Sequence, residues 1–161
     1  MSFLLSLENS AFGTWVRESK SLWAYPTILF LHTVGLGFLV GLNAAIDLRI
    51  LGVADRNQTL SLLADQLLPW TWIGFALAMI SGFLLFTTDA GDYAPDHVFQ
   101  AKMLVILLAV VFTVVVQVGL RKWNQLPAVP ASAKVIAALS LILWLGAILA
   151  GVDIAALSGL G

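Results

Sequence analysis

Residues 26–46 read PTILFLHTVGLGFLVGLNAAI, an apolar stretch that has one histidine and no charged side chain. About 20 apolar residues are enough for a helix to cross a hydrocarbon core about 30 Å thick. Similar stretches follow near 67–86, 101–120 and 133–152. The sequence therefore predicts an all-α, polytopic membrane protein, built as an antiparallel bundle of four transmembrane helices.

The composition agrees with this prediction. The 161 residues are 60% apolar and 11% charged, with a mean hydropathy of +0.97, and a soluble domain carries about 25% charged residues. Four spans leave no room for a second folded domain, so residues 1–161 are predicted to form a single membrane domain, in which Pro69 opens the second span.

The segment 3–17 has apolar residues interrupted by polar ones at roughly helical spacing. This pattern predicts an amphipathic helix that lies at the membrane interface. A secretory signal peptide is the competing interpretation. The start of the chain lacks a positive region, and no small-residue cleavage site follows a continuous apolar run.

The residue counts exclude several chemistries. Without cysteine there is no disulfide, thiolate nucleophile, iron–sulfur cluster or thiolate zinc site. Two histidines, His32 and His97, exclude a three-histidine metal centre and allow at most one histidine-ligated haem. The net charge of −1 gives no reason to expect nucleic acid as a partner.

Basic residues near the span ends predict the topology, because cytoplasmic loops are enriched in lysine and arginine. One side of the predicted membrane carries five basic residues and the other carries three. The five are Arg49, Arg56, Arg121, Lys122 and Lys134, and the three are Arg17, Lys20 and Lys102. This modest bias places both termini, and the acidic loop at 89–97, outside the cytoplasm.

Polar residues of the first span fall on one helical face. At 100° per residue, Tyr25, His32 and Asn43 lie within about 40° of one another. Counted down from the outer side, His32 and Lys102 of the third span lie at the same depth, and His97 lies above them at the surface. We therefore expect His32 and Lys102 to form one layer of the bundle, with Tyr25 and Asn43 flanking His32 on its own face.

Each of these residues has a structural and a functional interpretation. A buried imidazole either hydrogen-bonds to a neighbouring span or ligates haem iron. Lys102 either extends its ammonium to the interface or offers it to a propionate or another anion. Asp47 and Arg49 are expected to pair with lipid headgroups or with each other.

Small residues are predicted to lie at helix contacts, where they allow two backbones to approach closely. This set includes a Gly-x-x-x-Gly spacing in the first span. Its members are Gly35, Gly37, Gly41, Gly74, Ser81 and Gly82. A second interpretation of Gly37 and Gly41 is that they make space for a flat ring beside His32.

The elements HTVG at 32–35, DLRILG at 47–52, LPW at 68–70 and FQAK at 99–102 resemble a family of small, uncharacterised bacterial inner-membrane proteins with four helices. More distantly, the chain resembles HemJ-type protoporphyrinogen oxidases and the membrane domain of CopD-type copper-resistance proteins. That resemblance implies that His32 is a haem ligand and that Lys102 matches the essential lysine of the oxidases. The histidine and arginine features that mark the first helix of those oxidases are missing after Gly41.

Two hypotheses follow. In the first, one haem b lies between the first and third spans near the outer leaflet, with His32 as axial ligand, and electrons pass between a quinone or porphyrin-like reductant and a partner. In the second, the chain is a cofactor-free membrane subunit of a larger complex or a homo-oligomer. A permease is the weaker third hypothesis, because it calls for more polar groups inside the membrane.

Overall fold

In a computed structural model of the chain, residues 2–18, 23–54, 59–126 and 128–158 are described, and their regular structure is entirely helical. Four helices are long and apolar enough to cross a membrane: α3, α4, α6 and the 131–151 part of α7. The seven helices are α1 (Ser2–Glu8), α2 (Ala11–Glu18), α3 (Tyr25–Leu51), α4 (Leu60–Phe86), α5 (Ala90–Tyr93), α6 (His97–Trp123) and α7 (Ala131–Ser158). The all-helical class is confirmed.

The long helices extend beyond the predicted spans because their capping residues lie outside the apolar stretches. Thr59 caps α4 by accepting a hydrogen bond from the Leu62 N–H at 3.4 Å, and Asp96 caps α6 through the N–H groups of Val98 and Phe99. Pro69, predicted to open the second span, lies inside α4. Hydropathy marks the apolar part of a helix, and the polar turns before it are helical as well.

The N-terminal segment forms two short helices where one was predicted. The break at 9–10 is stabilised by Ser10, whose hydroxyl accepts from the Gly13 N–H at 3.1 Å. The carboxylate of Glu8 accepts from the Gly91 N–H at 3.0 Å, and Val16 is buried. The two helices therefore pack at the end of the bundle where α5 lies, called the α5 end below.

The contacts between α3 and α4 run in opposite directions along the two helices. On α3 and α4, Gly35 meets Ala78, while Phe38, further along α3, meets Trp70, further back on α4, with ring centroids 6.4 Å apart. The α3–α4 interface is the most extensive, followed by α6–α7 and α3–α7, whereas α4 and α6 touch sparingly. The α4–α6 seam is thus the least closed side of the bundle.

The small residues divide into two groups. A Cβ added to Gly35 would lie 2.7 Å from the backbone N of Ala78, and one added to Gly74 would lie 2.8 Å from the N of Leu39. No atom of the described residues lies within 4 Å of a Cβ added to Gly37 or Gly41. The predicted contact role is confirmed for Gly35 and Gly74 and is wrong for Gly37 and Gly41, which lie on the exposed face of α3.

Two apolar clusters fill the bundle. The cluster near the middle contains Leu39, Ala109, Trp144 and Ala147. The cluster at the end opposite α5 joins residues of all four long helices: Ile46, Ile50, Leu60, Ala64, Val116, Leu120, Ala133 and Ala137. The α5 end has no comparable apolar cluster among the described residues, and that is where His32 lies.

Candidate functional site

The imidazole of His32 projects from α3 onto α4, where two oxygens hold one ring nitrogen. Nδ1 lies 3.0 Å from the carbonyl oxygen of Ala78 and 3.1 Å from the hydroxyl oxygen of Ser81. The Ser81 hydroxyl donates its own proton to the carbonyl of Leu77 at 2.5 Å. Because both oxygens then act as acceptors, Nδ1 carries the proton, and in the neutral ring Nε2 keeps its lone pair.

Gly82 provides the surface on which this ring lies. A Cβ at that position would be 2.9 Å from Cε1 and 3.3 Å from Nδ1 of His32. The prediction that Ser81 and Gly82 lie at a helix contact is therefore confirmed, and the side chain they receive is the imidazole. The lack of a side chain at Gly82 thus leaves room for the His32 ring.

Lys102 approaches the same region from α6. Its Nζ lies 3.4 Å from the position of a Cβ added to Gly151 of α7, and it is close enough to His32 for the two charges to interact. In the described part of the chain, Lys102 has neither a hydrogen bond nor an ion pair. His32 and Lys102 therefore both lie in the half of the bundle near the α5 end.

The other two predicted site residues lie further away along α3. Asn43 is buried, and its Nδ2 donates to the carbonyl of Leu39, one turn back, at 2.7 Å. Eleven residues separate it from His32, which is a rise of about 16 Å along the helix. Tyr25 begins α3, two turns before His32, and is partly exposed. Neither residue is brought to the His32 ring.

His97 begins α6 and is exposed, in the surface position predicted for it. Within the described ranges, no group of three or more histidine, cysteine or acidic residues is arranged to hold a metal ion. The described residues therefore offer no cluster that could supply three ligands to one metal ion. A group that needs a single axial ligand from the protein remains compatible with His32.

Aromatic rings cover the α5 end. Phe99 of α6 stacks on Phe86 of α4 with centroids 5.6 Å apart, and Tyr93 of α5 stacks on Phe99 at the same distance. This row of rings connects the α4–α6 seam to α5.

Tyr93 also has unusual electrostatic surroundings. Burial raises the pKa of its phenol, and the neighbouring Asp89, Tyr25 and Asp92 raise it further because they disfavour another negative charge. Tyr25 therefore contributes to the electrostatic environment of Tyr93.

Three polar contacts between helices were not predicted. The Ser140 hydroxyl of α7 hydrogen-bonds to Asp47, the Trp144 indole donates to Thr113 at 3.1 Å, and the Trp72 indole donates to Gln117 at 3.2 Å. The expectation that Asp47 pairs with headgroups or Arg49 is wrong, since its side chain is 1% exposed and faces α7. Its helical phase, near that of His32, was the available signal.

Comparison with known proteins places the chain in a family without assigning its chemistry. No curated protein and no solved structure gives a match. A family of unknown function, DUF6644, matches residues 8–156. This range contains α3, α4, α5 and α6 complete, and with them His32, Lys102 and Asp47. Because the match covers nearly the whole chain, the protein belongs to the DUF6644 family.

Proposed function

We propose that this chain is an integral membrane protein that binds one b-type haem through Nε2 of His32. In this proposal the four long helices cross a bacterial inner membrane as an antiparallel bundle. Both termini and α5 lie on the periplasmic side. The haem takes part in electron transfer with a quinone or porphyrin-like reductant.

The observation that carries the proposal is the hydrogen bonding of His32. A histidine that ligates a metal typically donates its other ring N–H to a carbonyl or carboxylate, which fixes the tautomer and the orientation of the ring. Nδ1 of His32 has this arrangement with Ala78. The ring is thus oriented by α4 and presents a lone pair at Nε2.

The scarcity of other ligands favours haem over a free metal ion. Porphyrin supplies four nitrogen ligands, so the protein needs to supply only an axial one. The described residues offer no cluster of three metal-binding side chains. His32 therefore fits a haem better than it fits a bare cation.

Lys102 supports a ligand that carries a negative charge. Its ammonium lies near His32 and has no anionic partner in the part of the chain that the structure describes. A cation in the bilayer interior is costly unless it is paired. A haem propionate, or the carboxylate of another porphyrin, would supply the missing charge.

The test is the visible spectrum of the purified protein, with two histidine variants. The wild type is expected to show a Soret band after haem supplementation. His32→Ala should abolish the band, whereas His97→Ala, a change at an exposed residue, should leave its position and intensity nearly unchanged. A wild type without a Soret band would contradict the proposal, and equal loss in both variants would mean bis-histidine ligation.

The second candidate is a cofactor-free subunit of a membrane complex or a homo-oligomer. It is favoured by the number of polar side chains that serve contacts between helices, among them Ser81, Thr113 and Gln117. In that case the bond from His32 to Ala78 is such a contact as well. His32→Ala would then lower the stability of the bundle while no spectrum changed.

A further inference from the structure

A second polar layer lies in the half of the bundle opposite α5, and Asp47 is its centre. The side chain is 1% exposed. The Ser140 hydroxyl donates a hydrogen bond to the carboxyl group, yet Oδ2 is buried and has no hydrogen-bond partner among the described residues. A buried polar atom without a partner is uncommon in folded proteins and calls for a physical explanation.

Gln117 of α6 provides the complementary group. Its Oε1 accepts a hydrogen bond from the indole N–H of Trp72 at 3.2 Å. That bond fixes the orientation of the amide, because an indole nitrogen is only a donor. Nε2 of Gln117 is consequently a donor, and it too is buried with no partner in the part of the chain that the structure describes.

The two unpartnered atoms lie at one level of the bundle. Thr113 of α6 is bonded to Trp144 of α7, and these helices run in opposite directions. One turn further along α6 is Gln117, and one turn back along α7 is Ser140, so both lie about 6 Å below the Thr113–Trp144 bond. Since Ser140 is bonded to Asp47, the unpaired acceptor and the unpaired donor share this layer.

The chemistry of the two atoms selects what can lie between them. A cation cannot accept the hydrogen bond that Nε2 of Gln117 must donate. An anion would be repelled by the carboxylate of Asp47. Water both accepts and donates, and buried waters typically make about three hydrogen bonds to otherwise unsatisfied groups.

We propose that a bound water molecule bridges Nε2 of Gln117 and Oδ2 of Asp47. The result is a hydrogen-bonded belt from Trp72 through Gln117, the water and Asp47 to Ser140, which joins α4, α6, α3 and α7 in turn. The belt crosses the α4–α6 seam, where the two backbones have few contacts of their own. This assignment is independent of the haem proposal, which concerns the α5 end.

The first test is a double-mutant cycle with Asp47→Leu and Gln117→Leu. Each single change leaves the other polar group buried and unsatisfied, and is expected to lower the midpoint of thermal unfolding by about 5 °C. The double variant removes both groups and should lose clearly less than the sum of the two shifts. Additive shifts would overturn the proposal.

A control cycle pairs Asp47→Leu with Ser81→Ala. Ser81 lies in the other polar layer, beside His32, so these two shifts should add. Equal non-additivity in the control pair would mean a general loosening of the bundle and would also overturn the proposal.

A second measurement detects the water itself and needs no leucine variant at position 47. In protein labelled with ¹⁵N-glutamine, the side-chain amide of Gln117, assigned by its loss in Gln117→Leu, should show a dipolar cross-peak to water. The sign of this cross-peak distinguishes a bound water from proton exchange with the solvent. A direct Gln117–Asp47 contact would give the same mutant cycle without this cross-peak, and the absence of the cross-peak would overturn the proposal.

Discussion

The two faces of α3 carry similar residues in different surroundings. Gly35 packs against the backbone of α4, whereas Gly37 and Gly41, on the opposite face, have open space beside them. Two residues along a helix amount to a rotation of about 200°. The buried face also carries His32, Asn43 and Asp47. Here the polar residues identify the face that contacts protein, and the spacing of the glycines does not.

The largest effect should come from adding one methyl group to the buried face. Gly35→Ala places a Cβ 2.7 Å from the backbone N of Ala78 and 3.0 Å from the carbonyl oxygen of Gly74. Backbone atoms cannot move aside as a side chain can, so α3 and α4 must separate. We expect a loss of about 1–3 kcal/mol in the free energy of unfolding, measured by denaturation in detergent.

Gly37→Ala is the matched control on the opposite face. No atom lies within 4 Å of the added methyl group, and alanine is favoured over glycine inside a helix by roughly 0.5–1 kcal/mol. The variant should therefore be as stable as the wild type or slightly more stable. Destabilisation equal to that of Gly35→Ala would show that Gly37 meets another surface in the detergent-solubilised protein.

A smaller effect is expected at Gly82 of α4, which contacts the side chain of His32 on the buried face of α3. Gly82→Ala puts a Cβ 2.9 Å from Cε1 of His32, and the ring can turn away at the loss of its bonds to Ala78 and Ser81. Losing one such hydrogen bond costs about 1 kcal/mol. Nitrogen NMR of the imidazole should show the loss of the Nδ1-protonated signature.

Gly151→Ala is the control for this change. Its Cβ would lie 3.4 Å from Nζ of Lys102, in ordinary van der Waals contact. The imidazole signals of His32 should therefore be unchanged. An unchanged His32 spectrum in Gly82→Ala as well would mean that Gly82 does not fix the ring.

Much of the fold follows from local properties of the sequence. Apolar length predicts the four long helices, and the polar face of the first span predicts which side of α3 is buried. The break between α1 and α2 was not predicted. A Cβ added to Gly13 would lie 3.1 Å from the carbonyl oxygen of Thr87, so the path of the chain there also depends on a contact between distant segments. The same limit applies to Gly37 and Gly41, whose surroundings depend on which helix lies beside α3.

The candidate site, too, was predicted only in part. Helical phase places Asn43 and His32 on one face, but phase says nothing about which of two residues on one face finds a partner. Asn43 bonds within its own helix at Leu39, and His32 bonds across to Ala78. Asp47 was assigned to the headgroups from its position near a span end, whereas α3 continues past it to Leu51 and Ser140 lies opposite.

The smallest expected effect concerns Tyr93, which Tyr25 influences from the start of α3. Burial, then Asp89, Tyr25 and Asp92, hold the pKa of its phenol above the ordinary value. The fold therefore prefers the neutral phenol, and this contribution to stability is complete below the unfolded pKa of about 10 and is lost as the pH rises through the folded pKa. Tyr93→Phe should make unfolding less dependent on pH above about 10. Subtracting the absorbance titration of Tyr93→Phe from that of the wild type should isolate one phenol that ionises above its ordinary range, and a difference that ionises within the ordinary range would contradict the assignment.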